Sequence, residues 1–281
     1  MAWHAQLSLH YHSAPLADDA ARTTAQFTHS GPLRVLQSLY PEGPAVCHNV
    51  LVHPPGGIVG GDTLSIDVQV NAGAHALITT PGATRFYKSL GDAGTQHAQV
   101  QLHSGARLEW LPLETLCYSG CKAVNTAVFD VAPGAEMIGW DITALGLPDA
   151  DLPFAAGSLQ QHIEVKGAWL ERALIDAADT QLLHSPLGLA GHLCMGTLFF
   201  AAGQPITRER REQLVQALRL SLVDDALAAT TGVTSPNPQV IALRVLAHRT
   251  EPAMHTLRKA WLALRKAAWQ TGNTAPRIWS M

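Results

Sequence analysis

Hydrophobic and polar residues alternate along much of the N-terminal two-thirds of the chain. From Trp3 to His12 the odd positions are Trp, Ala, Leu, Leu and Tyr, while the even positions are His, Gln, Ser, His and His. The segment from Thr63 to Val70 alternates in the same way. A period of two predicts strands that bury one face and expose the other. The segment SAPLADDAART, at 13–23, is predicted to be a loop.

A second pattern has a much longer period. Gly73, Gly105, Gly134 and Gly167 each stand before an alanine and between two alternating runs, and they are 32, 29 and 33 residues apart. A looser fifth copy surrounds Gly31. A period near thirty residues predicts stacked copies of one strand–turn–strand unit, because a unit this small cannot cover its own apolar face. The predicted fold class is therefore mainly β, with stacked, β-helix-like strand layers.

The C-terminal region changes to helical spacing. Thr207 is a predicted N-cap for a helix through RERREQLVQALRLSLVDDALAA, followed by a turn at TTGVTSPNP and a strand at IALRVLAHRT. A second helix is predicted from Pro252 to a stop at Gly272. We interpret residues 1–281 as one domain. Residues 1–203 form its strand stack, and 204–281 supply two α-helices with an intervening strand and a tail.

Composition narrows the class of protein. The 281 residues are 47% hydrophobic and carry a net charge of −3, which gives no general reason to expect binding to nucleic acid. No apolar run approaches the roughly 20 residues of a membrane span, and the N-terminus lacks the pattern of a secretory signal. These features predict a cytoplasmic protein without a membrane partner. The four cysteines are interpreted as buried thiols rather than a disulfide framework.

The glycine-rich stretch HPPGGIVGGDT, from His53 to Thr63, raises the question of a nucleotide-binding site. It fits the phosphate-binding loop template G-x-x-x-x-G-K-[ST] except that Asp62 replaces the lysine. A carboxylate would repel phosphate, and the residues that follow have strand rather than helix periodicity. The stretch is therefore interpreted as an ordered connection between coils.

Candidate chemistry is scattered along the chain. The motifs of a nucleophile elbow, a zinc protease and a dinucleotide fold are missing, so no catalytic residue is predicted. His10 and His12 share one strand face and are weak candidates for binding a metal ion. Cys47, His48 and His53 form another possible cluster, whereas Cys117 and Cys121 are expected to pack in the core.

Five segments resemble the urease accessory protein family UreD, called UreH in some systems. They are LVHPPGGIVGGDTL, TTPGATRFYKS, LEWLPLETL, GWDITALG and the C-terminal PRIWSM. The resemblance extends over nearly the whole chain, with the segments in the family's order and at its spacing. HPPGGIVGGD together with TTPGAT is the most specific match. The motif residues expected to support the family's partner contacts are His53, Pro54, Pro55, Gly56, Gly57, Gly60, Gly61, Thr80, Pro81, Gly82, Thr84, Arg85 and Tyr87.

The resemblance implies a function without catalysis. Members of this family are expected to bind UreF, the GTPase UreG and apo-urease in a dimeric assembly, and to help deliver nickel to the urease active site. No cofactor would be bound permanently, since nickel would cross an internal polar path. Carried over by motif, the acids of that path are Glu42, Asp62, Asp141 and Glu171.

Two departures from the family pattern affect this expectation. Leu113 stands where the family usually has glutamine, and Leu147 stands where it commonly has arginine. Two other functions also fit the sequence. A β-helical carbohydrate-active enzyme would need clustered acids and exposed aromatic residues on one coil face. A stand-alone metal-binding protein would use His10 and His12.

Overall fold

The computed structural model describes residues 2–15 and 21–280 and consists mainly of two facing β-sheets. The first sheet, which we call sheet A, has seven strands within the described residues: β1 (His4–Pro15), β2 (Ala21–Ser30), β5 (Thr63–Val70), β8 (Gly94–Leu102), β11 (Cys121–Val131), β13 (Gly157–Val165) and β14 (Trp169–Asp176). Their order across the sheet is β14-β13-β11-β8-β5-β1-β2. The predicted loop at 13–23 falls partly on residues 16–20, outside the described residues, and its two ends belong to β1 and β2.

The second sheet, sheet B, has ten strands in the described part of the chain. Its strands are β3 (Arg34–Leu39), β4 (Val46–Val52), β6 (His75–Thr79), β7 (Thr84–Phe86), β9 (Arg107–Leu111), β10 (Thr115–Cys117), β12 (Glu136–Leu145), β15 (Cys194–Ala202), β16 (Thr231–Asn237) and β17 (Val240–Ala247). The order β16-β17-β15-β12-β9-β6-β4-β3 forms its main path, while the short strand β10 pairs with β12 and the short strand β7 pairs with β10.

The thirty-residue repeat forms the corners of a solenoid-like stack. β5, β8 and β11 are parallel neighbours in sheet A, and each is followed by a parallel neighbour in sheet B. A Cβ on Gly105 would lie 3.7 Å from the backbone nitrogen of Gly73, and one on Gly134 would lie 3.6 Å from that of Gly105. The turns therefore stack directly on one another, and their positive φ angles suit glycine. The predicted stack of strand layers is confirmed.

The fourth copy of the repeat was interpreted wrongly as another coil. Gly167 turns β13 back into β14, which pairs antiparallel to it inside sheet A. The chain therefore ends the solenoid with a hairpin instead of crossing to sheet B. The sequence pattern of strand, turn and strand is the same for a coil that crosses to sheet B and for a hairpin within sheet A. Local alternation does not specify which sheet the second strand joins.

Two helices, α2 (Arg208–Ser221) and α3 (Thr250–Trp269), cover the outer face of sheet B. The short helix α1 (Thr180–His184) instead packs Leu182 and Leu183 against the apolar core between the sheets. The side chain of Thr207 accepts a hydrogen bond from the backbone of Arg210, as predicted for an N-cap, but α2 ends before the predicted DDALAA segment. The segment TTGVTSPNP was predicted wrongly as a turn, since most of it forms β16. The described residues 204–280 thus contain two strands, not one.

Two apolar layers fill this architecture. One lies between the sheets and includes Leu9, Val68, Val100, Phe129 and Phe199. The other lies between sheet B and the helices and includes Trp140, Leu214 and Trp261. Polar residues in the first layer therefore lie inside the molecule, where each unpaired polar group costs free energy.

Candidate functional site

The two glycine-containing motifs lie against each other at one end of the sheets. The first, residues 53–62, connects β4 to β5, and the second, residues 79–89, contains β7. The Ile58 backbone nitrogen donates to Arg85 O at 2.7 Å, and the Tyr87 nitrogen donates to Ile58 O at 2.9 Å. A Cβ on Gly57 would lie 2.1 Å from the Tyr87 ring, so only glycine permits this packing without a shift of the ring. We call these segments the motif loops.

Asp62 fixes the first motif loop to the start of β1. Its carboxylate is buried and accepts hydrogen bonds from the backbone nitrogens of Trp3 at 2.8 Å and Val59 at 3.0 Å. β5 follows immediately, as the alternation predicted. The position that holds lysine in a phosphate-binding loop therefore holds an acid that binds two backbone donors.

A cavity of about 250 Å³ lies between the motif loops, and we call it the motif cavity. His53, Gly57, Thr80, Arg85 and Gln96 are among its lining residues. Burial lowers the pKa of His53, which favours the neutral imidazole. Since a water molecule occupies roughly 30 Å³ of liquid, this volume suits several waters or a hydrated ion better than a large organic ligand.

A row of polar side chains continues from the motif cavity into the layer between the sheets. Gln96, Asn125 and Gln161 are register neighbours on three adjacent strands of sheet A. Gln96 Nε2 donates to Asn125 Oδ1 at 3.3 Å, and Asn125 Nδ2 lies 3.4 Å from Asp141 Oδ1 on sheet B. Gln161 Nε2 and Thr143 Oγ1 both donate to Asp141 Oδ2. We call this set, together with Glu171 and Thr197, the polar row.

Asp141 is the central charged group of the polar row. Burial raises its pKa to about 6, the hydrogen bond from Gln161 opposes this rise, and the nearby Glu171 carboxylate adds to it. Thr197, the register partner of Asp141, donates to Glu171 Oε1 at 3.3 Å. Asp141 and Glu171 are therefore the two predicted acids that the fold brings together.

Comparison with known proteins decides the family. The model of the UreD urease accessory protein family matches residues 4–280. The chain belongs to the UreD family. A urease accessory protein UreD of Polaromonas sp. (strain JS666) is 58% identical over 281 residues, and one of Variovorax paradoxus (strain S110) is 56% identical over 280. Both alignments cover 100% of each chain. A third, from Methylibium petroleiphilum, is 51% identical and covers 99% of each chain.

The other two predicted acids of this UreD chain lie away from the polar row. Asp62 belongs to the motif loop described above. Glu42 lies on the outer side of sheet B, where its Oε1 is 2.9 Å from His48 Nε2 and its Oε2 accepts from Arg265 Nη1 at 2.9 Å. These ionic partners outweigh burial and lower the pKa of Glu42. The structure thus separates the four acids into three environments.

Arg265 is the centre of a buried ionic group that sequence reasoning missed. It lies on α3, is fully buried, and donates from Nη2 to Glu109 Oε1 at 3.0 Å as well as to Glu42. Glu109 also accepts from Trp261 Nε1 at 2.7 Å, and its Oε1 is 2.9 Å from His75 Nε2. Burial opposes ionisation of Glu109, but His75 and Arg265 lower its pKa. We call Glu42, His48, His75, Glu109 and Arg265 the helix clamp, because they hold α3 on sheet B.

The predicted histidine and cysteine candidates do not converge. His10 and His12 share the polar face of β1, and His12 Nδ1 lies 2.9 Å from Asn71 Nδ2. Cys47 packs between the sheets, whereas the adjacent His48 belongs to the helix clamp. Over residues 2–15 and 21–280, no three His, Cys, Asp or Glu side chains are arranged to hold a metal ion. Cys117 and Cys121 are buried in the core, as expected.

The remaining family features have clear positions. The C-terminal motif packs Trp279 against both Trp140 and Trp261, with ring centroids 5.1 and 5.2 Å away, and Trp279 Nε1 donates to Thr79 Oγ1 at 2.9 Å. Leu113 packs beside the helix layer, and its backbone nitrogen donates to Thr80 Oγ1 at 2.9 Å. No helix in the described part of the chain is long and apolar enough to cross a membrane.

Gly60 and Gly82 of the motif loops test whether close packing inside the loops is the reason for glycine at these positions. A Cβ on Gly60 would lie 2.6 Å from Asp92 O, whereas one on Gly82 would meet nothing within 4 Å. We expect Gly60→Ala to lower the free energy of unfolding by about 1–3 kcal/mol, the usual cost of overpacking. Gly82→Ala is the matched control and should unfold at nearly the wild-type urea concentration. Equal midpoints for the two variants would contradict a packing role for Gly60.

Proposed function

We propose that this UreD chain is a scaffold without turnover of its own, which acts with UreF and UreG on apo-urease in a dimeric assembly. Its family membership supports a role in urease maturation. We further propose that nickel, as cargo, crosses the chain along the polar row. The observation that carries this proposal is the hydrogen-bonded series from Gln96 in the motif cavity through Asn125 and Gln161 to Asp141.

The chemistry of the polar row suits passage better than storage. Its ligands are amide, hydroxyl and carboxylate oxygens, which bind a divalent transition metal more weakly than a cage of thiolates or imidazoles. An ion can move only if each site binds it strongly enough for entry and weakly enough for release. Asp141 supplies the negative charge at the centre, and the motif cavity has room for an ion that still carries water.

The proposal predicts that Asp141→Asn blocks delivery. Asparagine keeps the shape and the acceptor for Gln161, but it removes the negative charge. We expect the nickel content of urease matured with UreF, UreG and this variant to fall by about tenfold or more. Asp67→Asn is the matched control, because Asp67 lies on β5 with its side chain exposed to solvent. Nickel content that stays at the wild-type level in Asp141→Asn would end the proposal.

Asp141→Asn should lower nickel delivery but raise the free energy of unfolding at neutral pH. Because the folded-state pKa of Asp141 is raised to about 6, the folded chain holds its proton more tightly than the unfolded chain does. The resulting stability is present below about pH 4, the ordinary aspartate range, and is lost as pH rises through 6. We therefore expect Asp141→Asn to be more stable than wild type by about 3 kcal/mol at pH 7.5 and by less than about 1 kcal/mol at pH 4. Urea unfolding at both pH values measures this difference and excludes misfolding as the cause of lost delivery.

A further inference from the structure

The polar row ends at an ion pair between the two sheets. Glu171 on β14 faces the inter-sheet layer, and Arg244 on β17 donates from Nη2 to Glu171 Oε2 at 2.7 Å. The Arg244 side chain is 62% exposed, whereas that of Glu171 is 23% exposed. The pair therefore lies at the boundary between the polar row and solvent, at the end opposite the motif cavity.

The register of sheet B places Arg244 in line with the polar row. Asp141, Thr197 and Arg244 are direct neighbours on three adjacent strands of sheet B. Thr197 and Arg244 each donate to one of the two oxygens of Glu171. Glu171 is thus already neutralised by a guanidinium, which stays protonated at any physiological pH. A divalent cation arriving here would meet a fixed positive charge where the row otherwise offers a carboxylate.

Arg244 is held by few contacts. Within the described part of the chain, the only hydrogen bond of its side chain is the one to Glu171. Its register neighbour on β16 is Gly232, which has no side chain and open space around it, and a cavity lined by Trp169, Gly232, Pro236 and Arg244 lies beside it. Arg265, by contrast, is fully buried and donates hydrogen bonds to two carboxylates. Arg244 therefore has both the freedom and the space to leave Glu171.

We infer that Arg244 is a gate, which closes this end of the polar row to divalent cations until a carboxylate on a partner protein draws it away from Glu171. A carboxylate is the group that binds guanidinium most strongly, through two parallel hydrogen bonds. This inference rests on the proposed nickel path. Opening the gate exchanges one ion pair for another and frees Glu171 Oε2 for the cation, while Thr197 still donates to Oε1.

The test measures nickel binding to the isolated full-length chain by equilibrium dialysis at pH 7.5. Arg244→Gln removes the charge and keeps a donor for Glu171, and we expect it to bind Ni²⁺ at least tenfold more tightly than wild type. Arg244→Lys keeps the charge and should bind as wild type does. The double variant with Glu171→Gln should lose the gain. Arg249→Gln is the matched control, because the Arg249 side chain is as exposed as that of Arg244 and pairs with Asp149 at the same distance, 2.7 Å, away from the polar row.

Wild-type affinity in Arg244→Gln would overturn the gate, and so would a gain that survives Glu171→Gln. A merely structural role for the ion pair would lower the thermal midpoint without tightening nickel binding. If Arg244→Gln does not fold, Arg244→Ala is measured with the same criteria. The gate and the path can fail separately. If Asp141→Asn still delivers nickel to urease at the wild-type level, the path is wrong. If Asp141→Asn is defective in delivery but Arg244→Gln binds nickel as wild type does, only the gate is wrong.

Discussion

Replacement of Arg265 by methionine is expected to lower the free energy of unfolding by about 3–5 kcal/mol, the cost of breaking a buried ion pair on one side. The fully buried Arg265 side chain donates to Glu42 Oε2 and to Glu109 Oε1. It also donates from Nη1 to Gly272 O at 2.9 Å, just beyond the end of α3. Methionine would fill similar space but leave two buried carboxylates without their cation.

Urea unfolding at pH 7.5 measures this loss. Arg208→Met is the matched control, since Arg208 pairs with Glu212 on the exposed side of α2 and its loss should leave the midpoint unchanged. Adding Glu109→Gln to Arg265→Met should recover part of the stability, because the variant then has one fewer unpaired buried charge. A loss no larger than that of Arg208→Met would show that the helix clamp does not hold α3.

The strands of this fold follow from the sequence because burial on one face requires alternation. β1 and β5 have the predicted alternating burial, and the stacked turns at Gly73, Gly105 and Gly134 account for the repeat. β16 was missed because TTGVTSPNP has the residues of a turn. Its pairing with β17 satisfies its backbone, and tertiary pairing overrides weak local preference at an edge strand.

The site was less accessible to sequence reasoning than the strands were. Family motifs pointed to Asp141 and Glu171, but spacing along the chain does not show that Thr197 joins them across two sheets. The helix clamp joins Glu42 to Arg265, 223 residues apart, so no local pattern contains it. One signal was present: Glu109 interrupts the buried strand RLEWL, and a charged residue within an apolar run usually has a buried partner.

Gly157→Ala is expected to destabilise the chain by about 3 kcal/mol or more, from an unfavourable positive φ together with overpacking. Gly157 begins β13 with φ of +98°, and a Cβ there would lie 2.3 Å from Cys121 O and 2.7 Å from Cys121 N. Both atoms belong to the backbone of the neighbouring strand, so no side-chain rotation relieves the contact. The strand itself must move, and it carries Gln161, the residue that donates to Asp141.

Gly167→Ala separates the two causes. Gly167 also has a positive φ, +72°, but a Cβ there would meet nothing within 4 Å, so only the backbone cost of about 1–2 kcal/mol applies. Urea unfolding of both variants should therefore give a loss for Gly157→Ala about twice that for Gly167→Ala. At a temperature where both remain folded, nickel delivery should fall only in Gly157→Ala, because only that change shifts β13 against the polar row. If Gly157→Ala and Gly167→Ala lowered the free energy of unfolding equally, the contact between β11 and β13 would relax without an energetic cost. The position of Gln161 would then not depend on the close approach of the two strands at Gly157.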